Sequence, residues 1–301
     1  MSVPESAAVV ELRPRRGPVR AAIVALRPRQ WSKNLLLFAG IIFAANLGDA
    51  GRWGEACAIF VAYCAASSAA YLVNDLLDAD DDRLHPVKRD RPIARGELEP
   101  ERALVLAGLL AAGAFAIAAA LGFSSVLFLL GFVALQLAYS LGLKRIVLVD
   151  VFVIAGLFVI RAAAGAAAVD VRISPWLLVC TALLALFLGL AKRRGELMLV
   201  HADETPGREA LGGYSLALVD RLLNVVAAAT AGVYVAYAVT AHSAWMALTA
   251  PFVVLGLGRY LVLVHRDDLG EEPEHVLLAD RVILATVAAW AVLSAVVLAL
   301  T

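Results

Sequence analysis

Tyr71-Leu-Val-Asn-Asp-Leu-Leu-Asp-Ala-Asp-Asp-Asp-Arg-Leu-His-Pro-Val-Lys-Arg-Asp-Arg-Pro92 is the stretch on which the reading of this chain turns. It leaves a long apolar run and passes into a dense mixture of acids and bases. At about 100° per residue on a helix, Asn74, Asp78 and Asp82 lie at about 0°, 40° and 80°, and Asp75 at about 100°. All four share one face. Three carboxylates converging there repel each other unless a cation intervenes, and oxygen-only ligands suit a hard ion. Mg²⁺ in particular is usually held by a few carboxylates plus substrate phosphates. The bases just downstream, Arg83, Lys88, Arg89, Arg91 and Arg95, suit the remainder of a phosphorylated ligand. A solvated loop between membrane helices is the plainer account of a charge run. Acids at the edge of an apolar span are costly, however, and that favours a functional site.

Working outward, the composition settles the solvent. The chain is 62% hydrophobic and only 17% charged, with mean hydropathy +0.82, far above the roughly 45–50% apolar content of soluble domains. The charges gather into a few clusters between long apolar segments, the pattern of a polytopic membrane protein. Formal net charge is zero, which conceals this segregation, and nothing points to nucleic acid. Cys57, Cys64 and Cys180 fall in apolar spans without metal spacing and read as small core residues.

Residues 1–20, rich in Pro, Arg and Ala, read as a disordered cytoplasmic tail ahead of one transmembrane domain over 21–301. Residues 21–33 look interfacial, with Trp31 at headgroup depth. Apolar spans follow at about 34–48, 53–75, 101–121, 124–142, 147–168, 174–191, 217–241, 244–264 and 280–300, about nine helices. The first is short for a bilayer. Alternate loops carry nearly all the lysine and arginine, which places the N-terminus and segments 76–100, 143–145, 192–208 and 265–281 in the cytoplasm. No strict repeat is visible, although charged segments after spans two and six hint at a duplicated four-helix unit. The small-residue stretch 155–168 allows close helix packing.

The run Asn74-Asp75-x-x-Asp78-x-x-x-Asp82, followed by Arg83-x-x-Pro-x-Lys88-Arg-x-Arg91-Pro92, resembles the first aspartate motif of the UbiA superfamily of membrane prenyltransferases. Aromatic prenyltransferases of that superfamily carry a second acidic motif after the sixth helix. Here that place reads Leu190-Ala-Lys-Arg-Arg-Gly-Glu-Leu197, with Lys192 and Glu196 at i and i+4 beside Arg193 and Arg194. A salt bridge plus positive-inside anchors would explain this segment too. One acidic and one basic motif suit a single metal-bound diphosphate together with further anionic groups.

Arg27-Pro-Arg-Gln-Trp-Ser-Lys-Asn34 adds Arg29 and Lys33 at the same edge. Tyr139-Ser-Leu-Gly-Leu-Lys-Arg145 adds Tyr139 and Lys144, and Asp150 opens the next helix. Arg161 lies 11 residues beyond Asp150, about 20° off its face and about 16 Å deeper. An arginine at that depth should line a cavity or pair internally. Together these segments resemble the decaprenyl-phosphate phosphoribosyltransferase branch of the superfamily over about residues 22–300.

The resemblance implies an all-α bundle of about nine helices around a cavity open to the membrane, in the inner (plasma) membrane, with its active site facing the cytoplasm. It implies transfer of 5-phosphoribose from phosphoribosyl diphosphate (PRPP) to polyprenyl phosphate, early in arabinan cell-wall synthesis. Mg²⁺ would sit on Asp75, Asp78 and Asp82, with Asn74 orienting the ligand. Arg29, Lys33, Arg83, Lys88, Arg91, Tyr139, Lys144, Arg161, Lys192, Arg193 and Glu196 are the candidate substrate contacts, with Tyr214 behind them. A lipid phosphate is already ionised near neutral pH, so no strong base is needed, and His85 reads as a solvated loop residue. Two rivals stand beside this reading: an aromatic or haem-type prenyltransferase using a prenyl diphosphate, and a transporter with an anion path through Arg161. Small-residue helix faces leave room for a homo-oligomer.

Overall fold

The computed structural model describes residues 14–43, 48–85, 87–172, 174–201, 212–240, 244–266, 276 and 279–300. Among them there is no strand. The helices are α1 (Pro18–Ala25), a 3₁₀ segment (Pro28–Phe38) that runs into α2 (Ala39–Phe43), α3 (Ala50–Leu77) and α4 (Ala79–Leu84). After a looped segment come α5 (Pro100–Leu121), α6 (Phe123–Leu141), α7 (Val149–Ala168) and α8 (Pro175–His201). The chain ends with α9 (Leu216–Thr240), α10 (Ala250–Arg266) and α11 (Arg281–Leu300). Seven of the described helical stretches are long and apolar enough to cross a membrane, and Arg281–Val297 is a shorter apolar one. The chain is a multi-pass membrane protein.

The sequence marks its own helix ends. Asp49 caps α3 by accepting from the Gly51 and Arg52 amides, at 2.9 and 3.3 Å. Proline takes the first position of α5, where its missing N–H costs nothing. Gly122, at φ 121°, makes the one-residue corner between α5 and α6, a conformation that any side chain would strain. Asp280 accepts from the Ile283 amide at the start of α11 and pairs with Arg259 of α10 at 2.8 Å.

Two apolar cores divide the molecule. One gathers Leu37, Ile59, Tyr63, Leu129, Phe132 and Leu157 from the first half. The other gathers Val151, Phe187, Leu223, Tyr260, Val264 and Ile283 from the second. Helix α7 contributes to both and joins them. Its small residues bring neighbours to backbone contact: a Cβ on Gly165 would lie 2.0 Å from the Leu37 carbonyl oxygen, and one on Gly40 would lie 2.6 Å from the Ala166 Cα.

Three expectations change here. The first span is not an ordinary helix from 34 to 48. Arg27 adopts φ 53°, Pro28 follows, and eleven residues then wind as 3₁₀ helix. At about 2.0 Å per residue this covers about 22 Å, against about 16 Å as α-helix, so a short sequence spans further. Residues 44–47 lie outside the described residues. Of the expected disordered tail, residues 1–13 also lie outside, while Pro18–Arg20 form the first turn of α1. Finally, the acidic run is not one helix. The helix breaks at Asp78, and Asp80, Asp81 and Asp82 occupy the first turn of α4, where carboxylates complement the amide ends of the helix.

Candidate functional site

The break at Asp78 divides the four motif residues, and bases from three other elements draw them together. Asp75, in the last turn of α3, is 1% exposed, and Asp82, on α4, is 3% exposed. Arg91 Nη1 bridges them, 3.2 Å from Asp75 Oδ1 and 2.6 Å from Asp82 Oδ2. Arg27, just past α1, also donates to Asp75 Oδ1, and its guanidinium lies 4.9 Å from the centre of the Tyr71 ring. Lys144, in the turn after α6, places Nζ 2.8 Å from both oxygens of Asp78. Asn74 donates to Asp78 Oδ2 at 3.1 Å. Three carboxylates thus face three bases. Burial pushes the Asp82 carboxyl above its ordinary range, and Arg91 pulls it part of the way back.

A folded loop delivers Arg91. The amides of Glu97 and Leu98 both donate to the Pro92 carbonyl, and the Glu97 side chain, fully buried, accepts from Arg95 and Arg16. Arg16 also donates to the Asp90 carbonyl at 3.0 Å. The residues just before α1 therefore hold the loop that carries Arg91.

A second charged cluster sits where α7 begins and α8 nears its end. Arg193, 1% exposed, lies 2.6 Å from Asp150 Oδ2 through Nε and pairs with Glu196 through Nη1. Its Nη2 is 3.5 Å from the Tyr139 hydroxyl. The Tyr214 hydroxyl donates to Asp150 Oδ1 and accepts from the Leu148 amide, each at 2.7 Å. That pins Leu148 at φ 65°, a conformation that a branched side chain rarely takes without support. Burial, and then the bond to Asp150, push the Tyr214 phenol up, so it is a donor at neutral pH.

The remaining candidates divide. Arg83 pairs with Asp80 and donates to the Ala94 carbonyl, while Lys88 lies close enough to Asp82 to affect its titration. Lys33 and Lys192 are half-buried, and Arg29 is exposed. His85 Nδ1 accepts from the Val87 and Lys88 amides, a local turn rather than a solvated ring. Arg161 does not join either acidic cluster. Its Nε donates to Asn34 Oδ1 at 2.8 Å, Nη1 donates to the Leu157 carbonyl, and the guanidinium stacks on Phe132 and Phe158. It pairs internally, with an amide and two rings instead of an acid, and holds the 3₁₀ segment to α7.

Sequence reasoning missed Arg27, although it stands beside the quoted Arg29. It also missed Asp150 as a charge partner and Glu97 as an anchor. The isolation of Asp150 among apolar neighbours could have signalled it, whereas Glu97 stands in a run of charges that gives no such signal.

Among the described residues, no three His, Cys, Asp or Glu side chains converge as a ready-made metal cage. Mg²⁺ beside phosphates does not need one, because one or two carboxylates suffice. Arg27 and Arg91 both reach Asp75 through Oδ1, and Arg91 reaches Asp82 through Oδ2. The second oxygen of each carboxylate takes none of these bonds. The donor set fits a hard divalent cation.

A partly open cavity of about 830 Å³, lined almost wholly by apolar side chains, lies between α2, α8, α9, α10 and α11. Phe187, Leu188, Tyr260 and Trp290 are among its walls. Along α8 its lining runs from Pro175 to Leu188, and Leu188 precedes Arg193 by five residues, about 7.5 Å along the helix, so only one end of the cavity approaches the second charged cluster.

Comparison with known proteins adds four findings. Residues 35–281 match the family model described as the UbiA prenyltransferase family. The chain is 34% identical over 278 residues to a decaprenyl-phosphate phosphoribosyltransferase of Mycolicibacterium smegmatis, covering 87% of each chain. It is 33% identical over 271 residues to a protein of the same name from Mycobacterium tuberculosis, covering 87% of this chain and 89% of the relative. Its fold is similar to that of a UbiA homologue from Archaeoglobus fulgidus solved with GPP and Mg²⁺, with TM-score 0.72 at 18% identity over 93% of this chain and 99% of the other.

Proposed function

The chain belongs to the UbiA prenyltransferase family, and from that membership we propose that it transfers 5-phosphoribose from PRPP to a polyprenyl phosphate, releasing pyrophosphate. The observation that carries the reading within the family is Arg193. Its guanidinium stands between Asp150 and Glu196, the two carboxylates of the second cluster that a second metal ion would need. Fixed positive charge at this edge suits a ligand set with more phosphate and fewer metal ions than a prenyl diphosphate with an aromatic acid. The names of the relatives at 33–34% identity agree with this.

Asp75, Asp78 and Asp82 would hold Mg²⁺, with Asn74 orienting Asp78. Bound there, the ion would neutralise charge that builds on the departing diphosphate. Arg27, Arg91 and Lys144 supply further positive charge at the same place. The bond from the anomeric carbon to the diphosphate oxygen breaks, and a bond to an oxygen of the lipid phosphate forms on the opposite face of the ribose. Since that phosphate is ionised at neutral pH, no side chain has to remove a proton. His85 accordingly serves its local turn.

The apolar cavity between α8, α9, α10 and α11 accommodates the isoprenoid tail, and its partial opening lets a long tail leave sideways into lipid. The lysine- and arginine-rich loops support a charged edge on the cytoplasmic side of the inner (plasma) membrane, where PRPP is made. The product fits the supply of arabinan precursors to the cell wall.

The test is substrate dependence in detergent micelles. Pyrophosphate release should require PRPP and polyprenyl phosphate together. Release from a prenyl diphosphate with an aromatic acid, and none from PRPP, would move the chain to the prenyl-transferring side of its family.

A further inference from the structure

The first cluster is closed upon itself. Asp75, Asp78 and Asp82 carry three negative charges, and Arg27, Arg91 and Lys144 carry three positive ones. A divalent cation arriving alone meets carboxylates already engaged by bases. A diphosphate arriving alone meets bases already engaged by carboxylates.

The three bases are not equally fixed. Arg27 is stacked on Tyr71 as well as paired with Asp75. Arg91 bridges two acids whose side chains are 2% and 4% exposed. Lys144 has only Asp78 as ion-pair partner among the described residues, and that side chain is 28% exposed. An ammonium on a flexible four-carbon stem also turns to a new partner more readily than a planar guanidinium held at two points. The open edge of the cluster is therefore the Lys144–Asp78 pair.

We propose that Lys144 is an exchangeable counter-ion: it occupies both oxygens of Asp78 until a divalent cation and a diphosphate bind together, then turns to the diphosphate as Asp78 turns to the cation. Neither group of the pair is left without a counter-charge, because the cation replaces the ammonium on Asp78 while the diphosphate replaces Asp78 on Lys144. Taking the cation alone would strand the ammonium at a partly buried place, where an uncompensated charge is expensive. The cation and the diphosphate then bind cooperatively, and each raises the affinity for the other by the same factor. The inference rests on the metal–diphosphate part of the proposed function and not on which group the diphosphate carries.

The experiment uses the full chain in detergent, Mn²⁺ as the probe metal and inorganic pyrophosphate as the probe anion, with Mn²⁺ binding followed by electron paramagnetic resonance. Without pyrophosphate, Lys144→Met should bind Mn²⁺ at least fivefold more tightly than wild type, because the competitor for Asp78 is gone. Lys144→Arg, which keeps the charge, should stay close to wild type and reports on folding at the same position. At saturating Mn²⁺, Lys144→Met should bind the Mn²⁺–pyrophosphate complex at least tenfold more weakly. Equal or weaker Mn²⁺ binding by Lys144→Met overturns the proposal, as does undiminished affinity for the complex. So does a Lys144→Arg protein that binds Mn²⁺ as tightly as Lys144→Met. Wild-type product formation from PRPP, measured separately, decides the proposed function without touching this result.

Discussion

Removing Arg193 tests whether the second cluster is a structural knot or an open binding surface. The guanidinium is 2% exposed as a side chain and meets Asp150, 1% exposed, and Glu196, 14% exposed. Breaking a buried pair by deleting one partner costs about 3–5 kcal/mol, because the other charge is left uncompensated. Asp150 keeps the Tyr214 hydroxyl and the Val151 amide, and Glu196 has a partial path to solvent. Those two facts place Arg193→Ala at the lower end, about 3 kcal/mol. At about 2–4 °C per kcal/mol for chains of 150–250 residues, its Tm in detergent should fall by roughly 6–12 °C. Arg193→Ala with Asp150→Asn should recover part of the loss, with a coupling of at least about 1.5 kcal/mol. Thermal unfolding followed by tryptophan fluorescence measures all four proteins of the cycle. An Arg193→Ala protein melting within 2 °C of wild type, or strictly additive effects, would refute the reasoning. Arg193 would then be a surface base available to ligands.

Asp75→Asn leaves Arg27 and Arg91 short of one carboxylate and removes a proposed metal ligand, so turnover should fall at least about 10²-fold. Near-normal turnover across a Mg²⁺ titration would show that Asp75 is not at the site. Gly165→Ala cannot be accommodated 2.0 Å from the Leu37 carbonyl; it should cost about 1–3 kcal/mol or more by forcing α7 from the 3₁₀ segment. Gly108→Ala, with open space around it, should leave the Tm unchanged, and equal effects at the two positions would contradict the close approach. Hydrogen bonding from Arg259 holds the Asp280 carboxyl below its usual range, so its stabilisation is present above the ordinary carboxylate pKa and lost as pH falls through the depressed one. Asp280→Asn should therefore lower the Tm at neutral pH and converge with wild type in acid; a gap that persists in acid would refute the assignment.

How much was legible follows from which interactions are local. The apolar spans and the clustering of charge at one edge depend on residues near in sequence. Helical periodicity placed Asn74 and Asp78 together correctly, since that pair is an i,i+4 contact. It failed to show the break at Asp78, because a backbone turn among four neighbouring acids leaves no periodic trace. It also joined Asp75 to Asp82 by angle alone, whereas in the folded chain Arg91 joins them. The 3₁₀ segment left no trace in the apolar pattern, and the residue that packs against its Leu37 backbone, Gly165 of α7, lies far along the chain. The pairing of Arg193 was hidden for the same reason. The nearest acid at helical spacing, Glu196, accounts for one of its partners, and Asp150, forty-three residues earlier, supplies the other.

The account stands on the identity of the transferred group, and mass spectrometry of the lipid product measures that directly. Purified protein would be incubated with Mg²⁺, polyprenyl phosphate and PRPP labelled with ¹³C in the ribose, beside a parallel reaction with a prenyl diphosphate and an aromatic acid. The expected product is a polyprenyl phosphate heavier by one labelled phosphoribosyl group, formed only when Mg²⁺ and both substrates are present, with no prenylated aromatic acid. A prenylated aromatic product with no label in the lipid would contradict it.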